Sequence, residues 1–240
     1  MIVSSYVLAS TKSICGTTDD RRSHEDSRIG RISSDESLLK CTATLIGKNC
    51  AITAGHCVAL LNYVEFNVPL SIDGKPQPSH ADDKFYPDPS FLNYEDRSIM
   101  GDWAVFKLKR NINSHNFPGE SYGFYKVIFQ EPLFNDSIRI AGYGSDLEDG
   151  SKHFSLKEGF GLIVSFKDDF PIKVLRHNID ATNGDSGSAI VRQVDQSIIG
   201  IHTHSGCSAI ENDPINLNRG TLISAHIKLQ NAIKSCLEQN

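Results

Sequence analysis

The sequence has no apolar run of the roughly 18 residues that a membrane-spanning helix needs. It has no excess of basic residues either: 24 Lys and Arg stand against 29 Asp and Glu, a formal net charge of −5 over 240 residues. That balance gives no electrostatic reason to expect nucleic acid or an anionic membrane as the partner. No C-x-x-C pair occurs, which argues against zinc ribbons and thioredoxin-type redox motifs. There is no internal repeat and no low-complexity segment. No long helical pattern alternates with strands, which disfavours α/β architectures. The start, M-I-V-S-S-Y-V-L-A-S-T-K, is mildly apolar but lacks the basic flank of a signal peptide. Residues 1–12 therefore read as the remnant of a pro- or signal segment, and 13–240 as the folded part.

What is present is a series of short apolar runs, at 42–46, 51–54, 103–108, 137–142, 160–166, 172–176, 188–192, 197–202 and 220–225, each bounded by Gly, Pro, Asn, Asp or Ser. That is the signature of an all-β antiparallel sandwich or barrel. One segment breaks the pattern: in 226–237, Leu229, Ala232, Ile233, Cys236 and Leu237 fall on one face of a helix. The strand count fits two barrels, about 28–115 and 130–225, closed by a C-terminal helix, with a site in the cleft between them. The stretch 67–101, with five prolines and many charges, reads as loops and hairpins. Six cysteines without a metal-type spacing favour disulfides, hence an oxidising, extracytoplasmic setting.

Three segments carry chemistry. T-A-G-H-C (53–57) puts His56 at the end of an apolar strand, where a lone histidine would read as a hydrogen-bonded core residue. G-D-W-A-V-F-K-L (101–108) puts Asp102 just before another strand, where a lone acid would read as a cap. N-G-D-S-G-S (183–188) sets Ser186 in a glycine-rich turn that exposes a hydroxyl and points backbone N–H groups at one spot. Together they supply a nucleophile, a base and an orienting acid. Serine is a weak nucleophile until an imidazole takes its proton, and that imidazole needs a carboxylate to hold its tautomer. The chain order His56, Asp102, Ser186 is that of the two-barrel serine proteases, not of subtilisins or α/β-hydrolases.

By these motifs the sequence resembles the chymotrypsin-like serine proteases. The resemblance implies two antiparallel six-stranded barrels, a Cys41–Cys57 bridge closing the histidine loop, and an oxyanion hole from the N–H groups of Gly184 and Ser186. It implies a peptide or protein substrate, no cofactor, and a secreted monomer. Further segments resemble the secreted bacterial glutamyl endopeptidase branch: I-C-G-T-T-D-D-R-R (14–22), S-I-R-I-A-G-Y-G (137–144), G-I-H-T-H-S-G (200–206) and N-R-G-T-L-I (218–223). Here the substrate pocket is expected from Asp180, Ala181, Thr182, His202, Thr203 and Ser205. His202 would read a glutamate carboxylate. The branch usually has Thr where this chain has Ala181, so Thr182, Thr203 or Ser205 would have to substitute. Asp180 permits the alternative of cleavage after Arg or Lys, and a non-catalytic homologue acting as a binding module is the other alternative. His204 reads as incidental, and His202 with His204 lack a third ligand for a metal. In trypsin-like zymogens a freshly cut terminal amine pairs with the acid before the nucleophile. That acid is Asp185, and cleavage near Lys12–Ile14 is the matching expectation.

Overall fold

The computed structural model describes residues 13–34, 37–146, 148–169, 172–207 and 216–238. Its strands are β1 (Arg22–Ser23), β2 (Ile29–Ser34), β3 (Ser37–Leu45), β4 (Cys50–Thr53), β5 (Tyr63–Glu65), β6 (Lys84–Phe85), β7 (Pro87–Asp96), β8 (Asp102–Leu108), β9 (Ser137–Gly142), β10 (Lys157–Asp169), β11 (Ile172–His177), β12 (Ala189–Arg192), β13 (Ser197–His204) and β14 (Asn218–Leu222). Two helices interrupt them, the five-residue α1 (Pro118–Tyr122) and the C-terminal α2 (Ile227–Glu238). Residues 1–12, read as a leader remnant, lie outside the described residues.

The strands form two seven-stranded antiparallel sheets, in the orders β6-β5-β2-β3-β4-β8-β7 and β1-β10-β11-β14-β13-β12-β9. In the second sheet β9 also pairs with β10, so six strands close into a barrel and β1 hangs on as an appendage. The first sheet has no ladder between its end strands β6 and β7 among the described residues and remains a half-barrel. All seven residues of β8 are buried between β4 and β7, which is why its run reads as apolar throughout rather than alternating.

Reading apolar runs misses β1, β2, β5, β6 and β7, of which β7 is the longest. Its sequence P-D-P-S-F-L-N-Y-E-D carries two prolines and alternates poorly. Proline is tolerated there because β7 is an edge strand, paired only with β8.

One core cluster takes Ile29, Ile52 and Val105 from the half-barrel and Ala141, Tyr143, Ala189 and Ile201 from the barrel. The two halves therefore share a dry interior, and the cleft at their junction is set by packing. The helix α2 follows the barrel in sequence but docks on the half-barrel. Its Leu229, Ala232, Ile233 and Cys236 are buried against β8 and neighbours, and Cys236 is bonded to Cys50 of β4. Each such aliphatic side chain contributes roughly 1.5–3 kcal/mol on burial. The other bridges are Cys41–Cys57 and Cys15–Cys207. The latter ties the N-terminal segment to the end of the barrel across 192 positions, constraining the unfolded chain strongly.

Candidate active site

His56 sits in the single-turn helix Gly55–Leu60 that follows β4, and the Cys41–Cys57 bridge holds the turn against β3. Its Nδ1 lies 2.6 Å from Asp102 Oδ2, and its backbone N–H donates to Asp102 Oδ1 at 2.9 Å. The carboxylate is fully buried at the head of β8. Thr221 of β14 fixes the backbone there: its hydroxyl donates to Asp102 O at 2.8 Å. The acid from the half-barrel is thus seated on a strand of the other barrel. Burial alone would push the His56 pKa down. The hydrogen bond and charge of Asp102 outweigh burial and raise it above the ordinary 6.5.

A pH profile follows from that sign. His56 serves as a base only when neutral, so kcat/KM should fall as pH drops through a value above 6.5. Asp102→Asn should move that midpoint down, because burial then acts without the opposing charge. A profile flat to pH 4 would exclude His56 as the base.

The loop that carries Ser186 is sewn to both halves. Thr42 N–H of β3 donates to Ser186 O, and Gly187 N–H donates to His202 O of β13, both at 2.8 Å. Cys57 Sγ, one residue from His56, lies 3.7 Å from Ser186 O. Two glycines make the turn possible. Gly184 has φ +106° and Gly187 φ +89°, and a Cβ at Gly187 would come within 2.2 Å of Thr42 O. Asp185 N–H donates to Thr182 O, while the N–H groups of Gly184 and Ser186 on either side donate to no backbone carbonyl among the described residues. Two such donors, the serine's own N–H and that of Gly184 two residues before it, are the kind of groups an oxyanion hole uses.

Asp185 itself is paired with Arg21, not with a terminal amine. Arg21 Nη1 lies 2.7 Å from Asp185 Oδ2 and 2.8 Å from Thr182 Oγ1, with both charged side chains about 2% exposed. Asp19 closes the other edge of the guanidinium with Oδ1 at 2.9 Å from Nε and Oδ2 at 2.7 Å from Nη2. Burial opposes the charge on Arg21, and the two acids outweigh it and raise its pKa. In the expected cleavage region, Ser13 forms an antiparallel bridge with Ala181.

Asp180 is likewise committed elsewhere. Its oxygens accept the N–H groups of Cys15 at 2.7 Å and Asp20 at 3.0 Å. Burial and the charge of Asp20 push its pKa up to about 6 despite those two bonds. A carboxylate so engaged anchors the 13–21 segment.

His202 is buried in β13 and meets a second histidine that the sequence reading missed, His177 of β11, with His177 Nε2 3.1 Å from His202 Nδ1. Ile179 N–H donates to His177 Nδ1 at 3.2 Å, which leaves the His177 proton on Nε2. That proton is donated to His202 Nδ1, so the His202 proton sits on Nε2, aimed away from His177. Burial lowers the pKa of His202 to about 4 and holds that of His177 well below its ordinary value. Both rings are neutral at pH 7, and the pair presents one N–H donor of fixed tautomer. His177 lacks a motif of its own, so nothing in the local sequence pointed to this pair.

Of the hydroxyls that could stand in for threonine at Ala181, Thr182 Oγ1 donates to Ser145 O at 2.9 Å and accepts from Arg21, and Thr203 Oγ1 lies 2.9 Å from His204 Nδ1. Ser205 is exposed, and its hydroxyl has no partner among the described residues. His204 is not incidental in position. Its Nδ1 lies 3.8 Å from Asp102 Oδ2, and its ring centroid is 6.1 Å from that of His56. The three metal-capable residues that cluster among the described residues, Cys41, His56 and Cys57, include a disulfide pair, so their sulfurs are not thiolate ligands.

The profile of the family described as Trypsin matches residues 15–219. A search of curated proteins found no significant match. Among solved structures, the chain is similar to a Glu endopeptidase (21% identity, TM-score 0.69, covering 94% of this chain and 100% of that one). It is also similar to a thermostable serine protease from an extremophilic microorganism (14%, TM-score 0.65, 90% and 99%). A third is the protease Anisep from Arthrobacter nicotinovorans (17%, TM-score 0.62, 91% and 99%). The closed barrel, the half-barrel and the C-terminal helix are thus a chymotrypsin-like fold. With the family profile spanning most of the chain, the protein belongs to the trypsin family of serine endopeptidases.

Proposed function

We propose that the protein cleaves peptide bonds through an acyl-enzyme formed on Ser186, with preference for glutamate on the acyl side. The observation that supports the triad is the 2.6 Å contact between His56 and buried Asp102, together with a turn in which the N–H groups of Gly184 and Ser186 donate to no backbone carbonyl among the described residues. Ser186 Oγ attacks the carbonyl while His56 Nε2 takes its proton. Asp102 holds the tautomer and stabilises the imidazolium. Gly184 N–H and Ser186 N–H receive the oxyanion, which is where charge develops in the transition state. His56 then protonates the leaving amine, and water repeats the sequence on the ester.

The acidic preference is supported by the Ile179–His177–His202 chain. It fixes a donor on His202 Nε2, which in this reading meets the side chain before the scissile bond. A buried substrate carboxylate needs such donors, since an unpaired one is costly. Three disulfides fit action outside the reducing cytosol. The test is a peptide library that varies the residue before the cleaved bond. Glutamate should dominate, and His202→Val should reduce cleavage after glutamate by about 10²-fold, the cost of one lost hydrogen bond to a charged group at about 1.5–3 kcal/mol. A wild-type profile without cleavage after glutamate overturns the acidic reading and leaves the triad standing.

A further inference from the structure

Beyond the pocket, three basic side chains stand in a row across three adjacent strands. In the ladders, His204 of β13 is opposite Arg219 of β14, and Arg219 is opposite Arg176 of β11. The face they share is the cleft face. Thr221, two residues along β14 from Arg219 and hence on the same side, bonds Asp102, while Asn218 and His177 between them point into the buried interior. The turn Ser98–Met100, which leads into Asp102, packs against both β11 and β14.

Neither guanidinium donates a hydrogen bond or meets a carboxylate among the described residues, and the Nε atoms of Arg176 and Arg219 are buried without a partner. Like charges placed opposite each other across a ladder are destabilising. Here two half-buried arginines stand opposite each other without an acid partner among the described residues, in a chain of net charge −5 whose buried arginines, Arg21, Arg31 and Arg139, are all paired with acids. Asp96, at the end of β7, acts on His56 and His204 through its charge but makes no ion pair with either arginine. A carboxylate arriving from outside would satisfy both forks at once.

We propose that Arg176 and Arg219 form a subsite for an acidic substrate side chain on the acyl side of the scissile bond, so that the enzyme reads an acidic peptide and not a single glutamate. This rests on the endopeptidase reading above. With the first residue before the bond directed to His202, an extended substrate sends alternate side chains to opposite faces. The second then lies by His204. The fourth lies about 7 Å farther along, above the strands that carry Arg219 and Arg176. The third lies on the first residue's side, away from both arginines.

The test compares kcat/KM for peptides that share the residue before the bond and carry Glu, Ala or Lys at the second, third or fourth position. Glu over Ala at the fourth position should give about tenfold, and Lys less than Ala, with little effect at the third. The Glu/Ala ratio should fall to about one in Arg176→Gln/Arg219→Gln and toward one in ~1 M salt, where exposed charges are screened. Arg219→Lys should keep part of it, because charge remains while the planar fork is lost. A ratio near one in the wild type, a ratio unchanged in the double variant, or an acid effect confined to the third position would overturn the subsite. Because every ratio is taken at a constant first residue, whichever one the library shows to be accepted, failure of the glutamate reading shows up separately, as indifference at the first position.

Discussion

Ser186→Ala is expected to lower kcat by about 10⁶-fold while leaving the fold and peptide binding in place, and His56→Ala to cost about as much. The size follows from the parts acting as a unit. Without the hydroxyl, the imidazole has no proton to take. Without the imidazole, the hydroxyl keeps its proton. The double variant should therefore be little worse than either single one. A residual rate of about 10³–10⁴ over water should survive in all three, because the N–H groups of Gly184 and Ser186 are main-chain donors that no side-chain change removes. Asp102→Asn is expected to cost about 10⁴-fold through the wrong His56 tautomer. Single-turnover kinetics, with fluorophosphonate labelling as the report on Ser186, check all of these. Wild-type protein that does not label would place the chain among non-catalytic homologues, and a Ser186→Ala variant of near-normal activity would move the nucleophile elsewhere.

The residues proposed as the triad stand out in the sequence because each belongs to a contiguous motif with its own local reason: a strand-end histidine beside a cysteine, an acid heading an apolar strand, a serine in a glycine-rich turn. The barrels were legible for the same reason, since β9 reads as S-I-R-I-A-G with turn residues on both sides. What escaped were roles set by pairing across the chain. Asp180 and Asp185 sit at positions whose resemblance suggested a pocket base and an amine acceptor, yet both are occupied by the 13–21 segment, about 160 residues away. Local sequence carries no trace of such a partner. His177 shows the same thing in the pocket: its role exists only because β11 pairs with β14, which pairs with β13, bringing it under His202. β7 escaped for a different reason, its prolines, which forbid a central strand but not an edge one.

Arg21→Ala should destabilise the protein by about 3–5 kcal/mol, because it leaves Asp185 buried without its cation. For a domain of this size that corresponds to a Tm lower by roughly 10 °C. The effect on turnover should be separate and measurable well below that Tm. Asp185 lies between the two oxyanion donors, and its Oδ2 also accepts Thr182 N–H at 2.8 Å, so the guanidinium holds the turn that aims both N–H groups. Losing their alignment is worth about 10²–10³ in kcat. Arg21→Lys should recover part of it, and Arg21→Ala/Asp185→Ala should be more stable than Arg21→Ala alone, since the orphaned charge goes with its partner. The same pairing bears on activation. An internal arginine already occupies the acid that a new terminal amine would seek, so a chain still carrying Met1 should label at Ser186 as fast as one beginning at Ser13. N-terminal sequencing of the labelled protein decides this. If only chains cut near Lys12–Ile14 label, Arg21 does not order the site by itself, and the terminal amine regains the role that the Arg21–Asp185 contact takes from it.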